Sequence, residues 1–299
     1  MSEPLIIETT DLTKRYGGVE ALRGLSLQVP SGSICGFLGR NGAGKTTTIK
    51  ALLGLVQPTS GGARVFGLAA DTPKTGVEIR RRTGFVSEEK ELLDFMTVGE
   101  MIRFTAPFFP RWRVDLEQRY VRKFDLPPDR RIKDLSRGMR TKLALLLVLC
   151  RAAELLILDE PTSGLDPAGT EEVLQALVSH VASEEMTVFF SSHQIVEVDQ
   201  IADRIVIIDR GRAAISGALD DVRENYCRIQ MVFEGDAPGV PFRSAGLGRI
   251  RREGRVLSVM SSARSGGILE EARAMNPVSL DVVPVTLKEI FLETVQGED

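Results

Sequence analysis

The chain has 299 residues, 43% hydrophobic and 26% charged, with a formal net charge of −3. That length suits one large domain plus a smaller one, and the near-neutral balance excludes a bulk basic field for nucleic acid. Cys35, Cys150 and Cys227 are widely spaced and the histidines number two, His180 and His193. These counts exclude a disulfide framework and a histidine-rich metal site, and the thiols read as buried ones of a reducing compartment.

Basic clusters at Arg80-Arg81-Arg82 and at Arg249, Arg251 and Arg252 are short and interleaved with acids, so they read as solvated faces. The longest apolar stretch, residues 143–150, is far below the ~20 residues a bilayer span needs. No signal-peptide pattern precedes the first strand-like run, into which residues 1–4 lead directly. The expectation is a soluble chain whose membrane role, if any, comes through a partner.

In chain order, the first segment reads as a small antiparallel sheet ending near Gln28 and Val29. Leu25, Leu27 and Val29 alternate with polar residues, as one half-buried face requires. The apolar run Ile34-Cys35-Gly36-Phe37-Leu38 then delivers the chain to Gly39-Arg40-Asn41-Gly42-Ala43-Gly44-Lys45-Thr46, followed by helix-forming residues 47–53. Strand, glycine-rich loop and helix in this order make a phosphate-binding loop. Glycines 39, 42 and 44 let backbone N–H groups converge on phosphate oxygens, and the helix adds its N-terminal partial charge. Lys45 can reach the β- and γ-phosphates and the Thr46 hydroxyl can ligate Mg²⁺.

From about residue 90 to 150 apolar residues recur at helical spacing with no strand-like run: Val98, Met101 and Ile102, then Leu116, Tyr120, Val121 and Phe124. Prolines 107, 110, 127 and 128 punctuate this helical insertion. Trp112, the single tryptophan, reads as a packing anchor in one connection. Ser136 and Gly138 precede the helix of residues 141–150, where a hydroxyl and bare N–H groups can meet an anion.

Leu155-Leu156-Ile157-Leu158-Asp159-Glu160 is an apolar strand ending in two carboxylates. Beside a phosphate loop, Asp159 would hold Mg²⁺ through water and Glu160 would orient or deprotonate the attacking water. His193 follows strand residues 188–190 and suits a γ-phosphate sensor, whereas His180 lies in a helical pattern and reads as structural. Short strands separated by helices, such as 171–181, imply a mainly parallel sheet covered on both faces. The sheet closes with residues 205–214 through a hairpin turn at Asp209-Arg210-Gly211-Arg212. Beyond residue 219 lie strands around Ile229 and 256–260, a helix near 268–275, a strand 279–283 and a capping-box start at Thr286-Leu287-Lys288-Glu289. This is a small α+β module without a catalytic constellation.

Over roughly residues 5–220 the ordered set resembles the nucleotide-binding subunit of an ATP-binding cassette (ABC) transporter, of the bacterial ABC-2 exporter kind. The resemblance implies an α/β fold: a P-loop NTPase core with a parallel sheet, a small antiparallel β subdomain and a helical insertion at about 90–150. It assigns residues 1–219 to the ATPase domain and 220–299 to a C-terminal accessory α+β domain. The implied ATP contacts are Tyr16, stacking on adenine, then Gly39, Asn41, Gly42, Ala43, Gly44, Lys45, Thr46 and Thr47, with Ser136, Gly138 and the D-loop Asp166. Glu160, His193 and Lys45 are the implied catalytic residues, and Thr46, Glu88 and Asp159 the implied Mg²⁺ ligands.

The family further implies head-to-tail pairing of two copies, or of this chain with a homologous mate. Each ATP would lie between the phosphate loop of one and Ser136–Gly138 of the other, at the cytoplasmic face of the membrane on integral permease subunits. No nucleic-acid partner is expected. The alternative, a soluble ABC ATPase acting on translation or nucleic acid, usually carries two cassettes or a long coiled-coil insertion, and this chain shows neither.

Two departures stand out. The signature reads Leu135-Ser136-Arg137-Gly138-Met139 where the family usually has Leu-Ser-Gly-Gly-Gln, and Glu88 stands where a glutamine is usual. A carboxylate at 88 can ligate Mg²⁺ but adds negative charge near the γ-phosphate. Glu88→Gln is therefore expected to change both ATPase rate and Mg²⁺ dependence in a MgCl₂ titration; unchanged values for both contradict a metal role for Glu88.

Overall fold

The computed structural model describes residues 4–184, 186–239, 242–243, 247–262 and 266–296. The first three residues, read above as leading into the first strand, lie outside the described residues. β1 (Leu5–Tyr16) and β2 (Val19–Pro30) form a long antiparallel pair, with Leu25, Leu27 and Val29 buried as their alternation predicts. β3 (Ile34–Leu38) is buried at every position and leads into α1 (Lys45–Leu52). β4 (Ser60–Val65) and β5 (Leu68–Ala69) complete a four-stranded sheet of order β2-β1-β4-β5.

α2 (Pro73–Arg82) is a helix that the sequence pattern does not announce. Thr72 caps it and Pro73 starts it, but only Gly76 and Ile79 are buried, too narrow a stripe for a clear 3.6-residue period. After β6 (Thr83–Val86) come α3 (Val98–Thr105), α4 (Val114–Lys123) and α5 (Arg137–Leu149), the helical region expected there. Thr97 and Glu100 form a reciprocal capping box on α3. α5 is buried at every residue from 143 to 149, which explains its unbroken apolar run. Trp112 packs as expected, its Nε1 donating to Glu117 Oε2 at 2.7 Å and its ring stacked on Phe109.

The rest of this unit alternates strand and helix: β7 (Leu155–Asp159), α6 (Pro167–Glu184), β8 (Thr187–Ser192), α7 (Ile195–Ile201), β9 (Arg204–Asp209) and β10 (Arg212–Ala218). The main sheet has the order β10-β9-β3-β8-β7-β6, with β9, β3, β8, β7 and β6 parallel. β3, β7 and β8 are buried throughout, as strands covered on both faces must be. Arg210 at φ 45° and Gly211 at φ 80° make the expected tight turn into β10. Register decides where the chemistry falls. Leu38 pairs with Ser192 and Asp159 with Ser191, so three strands end at one level on the carboxyl edge.

The chain divides into compact units Met1–Ser216 and Gly217–Asp299. The second contains α8 (Leu219–Asn225), β11 (Cys227–Val232), β12 (Leu247–Glu253), β13 (Val256–Ser261), α9 (Gly266–Ala274), β14 (Ser279–Pro284) and α10 (Leu287–Gln296). Its antiparallel sheet runs β12-β13-β11-β14 around a core of Ile229, Met231, Val259, Ile268 and Ala272. The Arg249–Arg252 cluster lies on β12, an edge strand, where charge suits an unpaired flank.

Gly36 in β3 faces α7 so closely that a Cβ there would lie 2.3 Å from Val198 Cγ1. Gly36→Ala should lower unfolding free energy by about 1–3 kcal/mol in urea titration, with Val198→Ala recovering part of the loss in the double variant. Additive losses in the two variants would contradict this contact.

Candidate active site

The loop after β3 is built on two left-handed glycines, Gly42 at φ 81° and Gly44 at φ 114°. A Cβ at Gly44 would also meet the Ala21 carbonyl at 2.8 Å, so this position requires glycine on both counts. Gly211 N–H donates to the Ala43 carbonyl at 3.0 Å and ties the loop to the β9–β10 turn. Lys45 Nζ folds back to donate to the Gly39 carbonyl at 2.8 Å, which closes the loop on itself.

The same ammonium lies 3.4 Å from Glu160 Oε1, and both side chains are nearly buried. Glu160 Oε2 meets His193 Nδ1 at 2.8 Å, while the His193 ring is half exposed. Thr46 Oγ1 donates to Asp159 Oδ2 at 2.8 Å. Ser191 Oγ donates to Asp159 Oδ1 at 2.5 Å and accepts from Glu160 N–H at 3.1 Å. One hydroxyl thus holds both carboxylate residues. Glu160 itself has φ 50°, a left-handed conformation uncommon for a side chain of its kind.

A cleft of about 410 Å³ gathers Asn41, Gly42, Gly44, Lys45, Thr46 and Thr47 with Glu88, Asp159, Glu160 and His193, and its lining adds Ala21 and Arg40. Among the described residues no three His, Cys, Asp or Glu side chains form a metal-holding group. A divalent ion here would draw on the Thr46 hydroxyl, the Glu88 and Asp159 carboxylates and the ligand's own phosphates, an all-oxygen set that suits Mg²⁺. Gly39 and Ala43 shape the loop rather than face the cleft: a Cβ at Gly39 would lie 2.6 Å from Ile208 Cγ2, and Ala43 is buried.

Besides Gly39 and Ala43, four more of the nucleotide residues inferred from sequence are not in this lining. Tyr16 stands about half exposed at the end of β1, with Lys14 Nζ 5.0 Å from its ring centroid. Ser136 caps α5 by accepting from Met139 N–H at 3.1 Å, and Gly138 packs near Leu165. Asp166 Oδ1 accepts from Gly169 N–H at 2.7 Å.

Sequence reasoning missed Ser191 and Lys90. For Ser191 the available signal was a pair of hydroxyls at the end of a buried apolar strand. Lys90, at φ 50°, is buried and donates to the carbonyls of Glu160 at 2.8 Å and Asp159 at 3.4 Å. Burial pushes its ammonium down to about 8, against the opposing pull of Asp159, Glu88 and Glu160. His180 is buried with its ring 6.5 Å from that of Tyr120, a structural placement.

A phosphate loop facing an acid-terminated strand at the carboxyl edge of a parallel sheet defines a P-loop nucleotide triphosphatase. Residues 22–163 match the family described as "ABC transporter". The bacitracin transport ATP-binding protein BcrA of Bacillus licheniformis is 33% identical over 295 residues, covering 96% of this chain and 95% of that one. The daunorubicin/doxorubicin resistance ATP-binding protein DrrA of Streptomyces peucetius is 36% identical over 225 residues, covering 73% of this chain and 67% of that one. A solved ATP-binding subunit of an ABC transporter superposes with a TM-score of 0.66 at 29% identity, covering 73% of this chain and 92% of that one.

The chain belongs to the ABC transporter family and is an ATP-binding, ATP-hydrolysing subunit of it. Its relatives are transport and resistance proteins, which does not favour the translation or nucleic-acid alternative. Because Ser191 orients both carboxylate residues, Ser191→Ala should lower Mg²⁺-dependent ATP hydrolysis about 10- to 100-fold. A rate within twofold of the parent would show that the hydroxyl is dispensable.

Proposed function

We propose that this chain energises export through separate membrane subunits, with ATP hydrolysed at the cleft described above and each nucleotide shared between two ATPase copies. The observation that carries the catalytic assignment is the Glu160 carboxylate set between Lys45 Nζ at 3.4 Å and His193 Nδ1 at 2.8 Å, over the Thr46–Asp159 pair. In this reading Lys45 and the loop N–H groups bind the phosphates, and Glu160 orients the attacking water and takes its proton. Thr46, Glu88 and Asp159 would hold Mg²⁺, which would neutralise charge on the phosphates when bound. With Nδ1 turned to Glu160, His193 meets the terminal phosphate through Nε2, which donates when the ring is protonated.

Tyr16 is assigned to the adenine and Ser136, Gly138 and Asp166 to the nucleotide of an opposing copy. That assignment accounts for residues of nucleotide-binding character lying outside the cleft of their own chain. α5 presents its N-terminus beside Ser136, where a phosphate is favoured by the helix dipole. The chain carries one phosphate loop, so a second copy or a homologous mate completes the pair. Export is supported by the roles that the relatives' names carry, bacitracin transport and daunorubicin/doxorubicin resistance.

Among the described residues no helix is long and apolar enough to cross a membrane, which leaves the spanning role to permease partners at whose cytoplasmic face this subunit would sit. Residues 220–299 are assigned as an accessory domain outside the chemistry. Glu160→Gln should cut ATP turnover by about 100-fold or more while ATP affinity, read with a fluorescent nucleotide, stays within about threefold. Native turnover in that variant would remove Glu160 from the mechanism.

A further inference from the structure

Lys90 combines two unfavourable choices for one residue. It adopts φ 50°, where non-glycine residues are uncommon, and it buries an ammonium at 6% exposure. Packing alone would be served as well by a leucine or methionine. The ammonium is instead spent on two backbone carbonyls, those of Glu160 at 2.8 Å and Asp159 at 3.4 Å. These belong to the very residues whose side chains face the nucleotide cleft.

Glu160 follows the last residue of β7 in a left-handed conformation, so its side chain leaves the direction that the strand would impose. Both of its backbone polar groups are held. Its N–H donates to Ser191 Oγ, and its carbonyl accepts from Ser163 N–H at 3.2 Å and from Lys90. Ser191 belongs to the sheet. Lys90 does not: it lies between β6 and α3, on the segment that also sends Glu88 into the cleft lining. Lys90 N–H donates to the Ser87 carbonyl at 3.2 Å, which makes residues 87–90 a compact turn with one side chain on the cleft and another on the Glu160 backbone. Around the ammonium the charged groups are Asp159 and Glu160 from β7 and its end, Glu88 from its own segment, and Arg137 at the start of α5.

We propose that Lys90 is a positioning residue for hydrolysis: its ammonium on the Glu160 carbonyl sets the aim of the Glu160 carboxylate and makes that aim depend on the segment leading into α3. This rests on the assignment of Glu160 to the attacking water. A movement of residues 87–90, from the cleft side or from the helical insertion, would then alter turnover without altering how the phosphates are gripped.

The test uses the full chain and compares Lys90→Met, which keeps the stem and removes the charge, with Lys90→Arg, which keeps a cationic donor. Steady-state ATP hydrolysis gives kcat and KM, and fluorescent-nucleotide titration gives affinity. Lys90→Met should lose about tenfold or more in kcat with affinity within about threefold, and Lys90→Arg should keep more than about a third of the native kcat. A kcat for Lys90→Met within twofold of native overturns the inference. So does an equal loss in Lys90→Arg, or an affinity that falls in step with kcat, since either marks simple packing. If thermal unfolding shows that Lys90→Met is not folded, Lys90→Gln takes its place: a kcat well below that of Lys90→Arg supports the inference and a native kcat overturns it.

Glu160→Gln assayed in parallel separates the two levels. Loss of turnover in Glu160→Gln with none in the Lys90 variants defeats only the role of Lys90. Native turnover in Glu160→Gln defeats the Glu160 assignment and this inference with it.

Discussion

A buried lysine ammonium must find acceptors, and the arrangement of this site follows from where Lys45 finds them. One is the Gly39 carbonyl at the end of β3 and the other is the Glu160 carboxylate just beyond β7. Those strands are separated by β8, so a single cation can bridge them only if all three end together. The parallel register provides that level edge, and Ser191 of β8 fills the interval by bonding both Asp159 and Glu160. The Lys45 ammonium and the Glu160 carboxylate, the pair proposed to grip phosphate and to orient water, are thereby brought within 3.4 Å of each other.

Much of this was legible in the sequence because the governing constraints are local. Gly42 and Gly44 declare left-handed backbone, and the run 155–158 followed by two acids declares a buried strand meeting a polar edge. Thr286 and Glu289 announce α10 through a reciprocal cap, and the structure places those bonds at 2.8 Å and 3.3 Å. The unread parts depend on partners distant in sequence. Lys90 stands among the charged residues 88–91 in the sequence, and only the fold sets its ammonium on the carbonyls of residues 159 and 160, some 70 positions away. Ser191 is an ordinary strand-end serine until β7 pairs beside it. α2 hides because its buried stripe is two residues, and β12 because its arginines mask the alternation of an edge strand.

The remaining gap is instructive. Tyr16, Ser136, Gly138 and Asp166 carry motif identity, yet their own chain employs them otherwise: Ser136 as a cap on α5, Asp166 as the acceptor for Gly169 N–H, and Tyr16 as an exposed ring beside Lys14. The cleft of one copy therefore gathers Lys45 and Glu160, proposed for the phosphates and the attacking water, but not every surface the motifs imply. The proposed second copy accounts for Ser136, Gly138 and Asp166 without moving any element within the chain, and Tyr16 is left to the adenine. It also makes the triphosphate the bond between subunits, so that cleavage of its terminal phosphate loosens them.

The central claim is therefore that a triphosphate joins two ATPase copies. Sedimentation velocity of the full chain, with Mg²⁺ and a slowly cleaved ATP analogue titrated to saturation, tests it most directly. The account predicts that the sedimenting mass doubles with the analogue and returns to that of one chain with ADP. A single-chain mass at saturating analogue would contradict it.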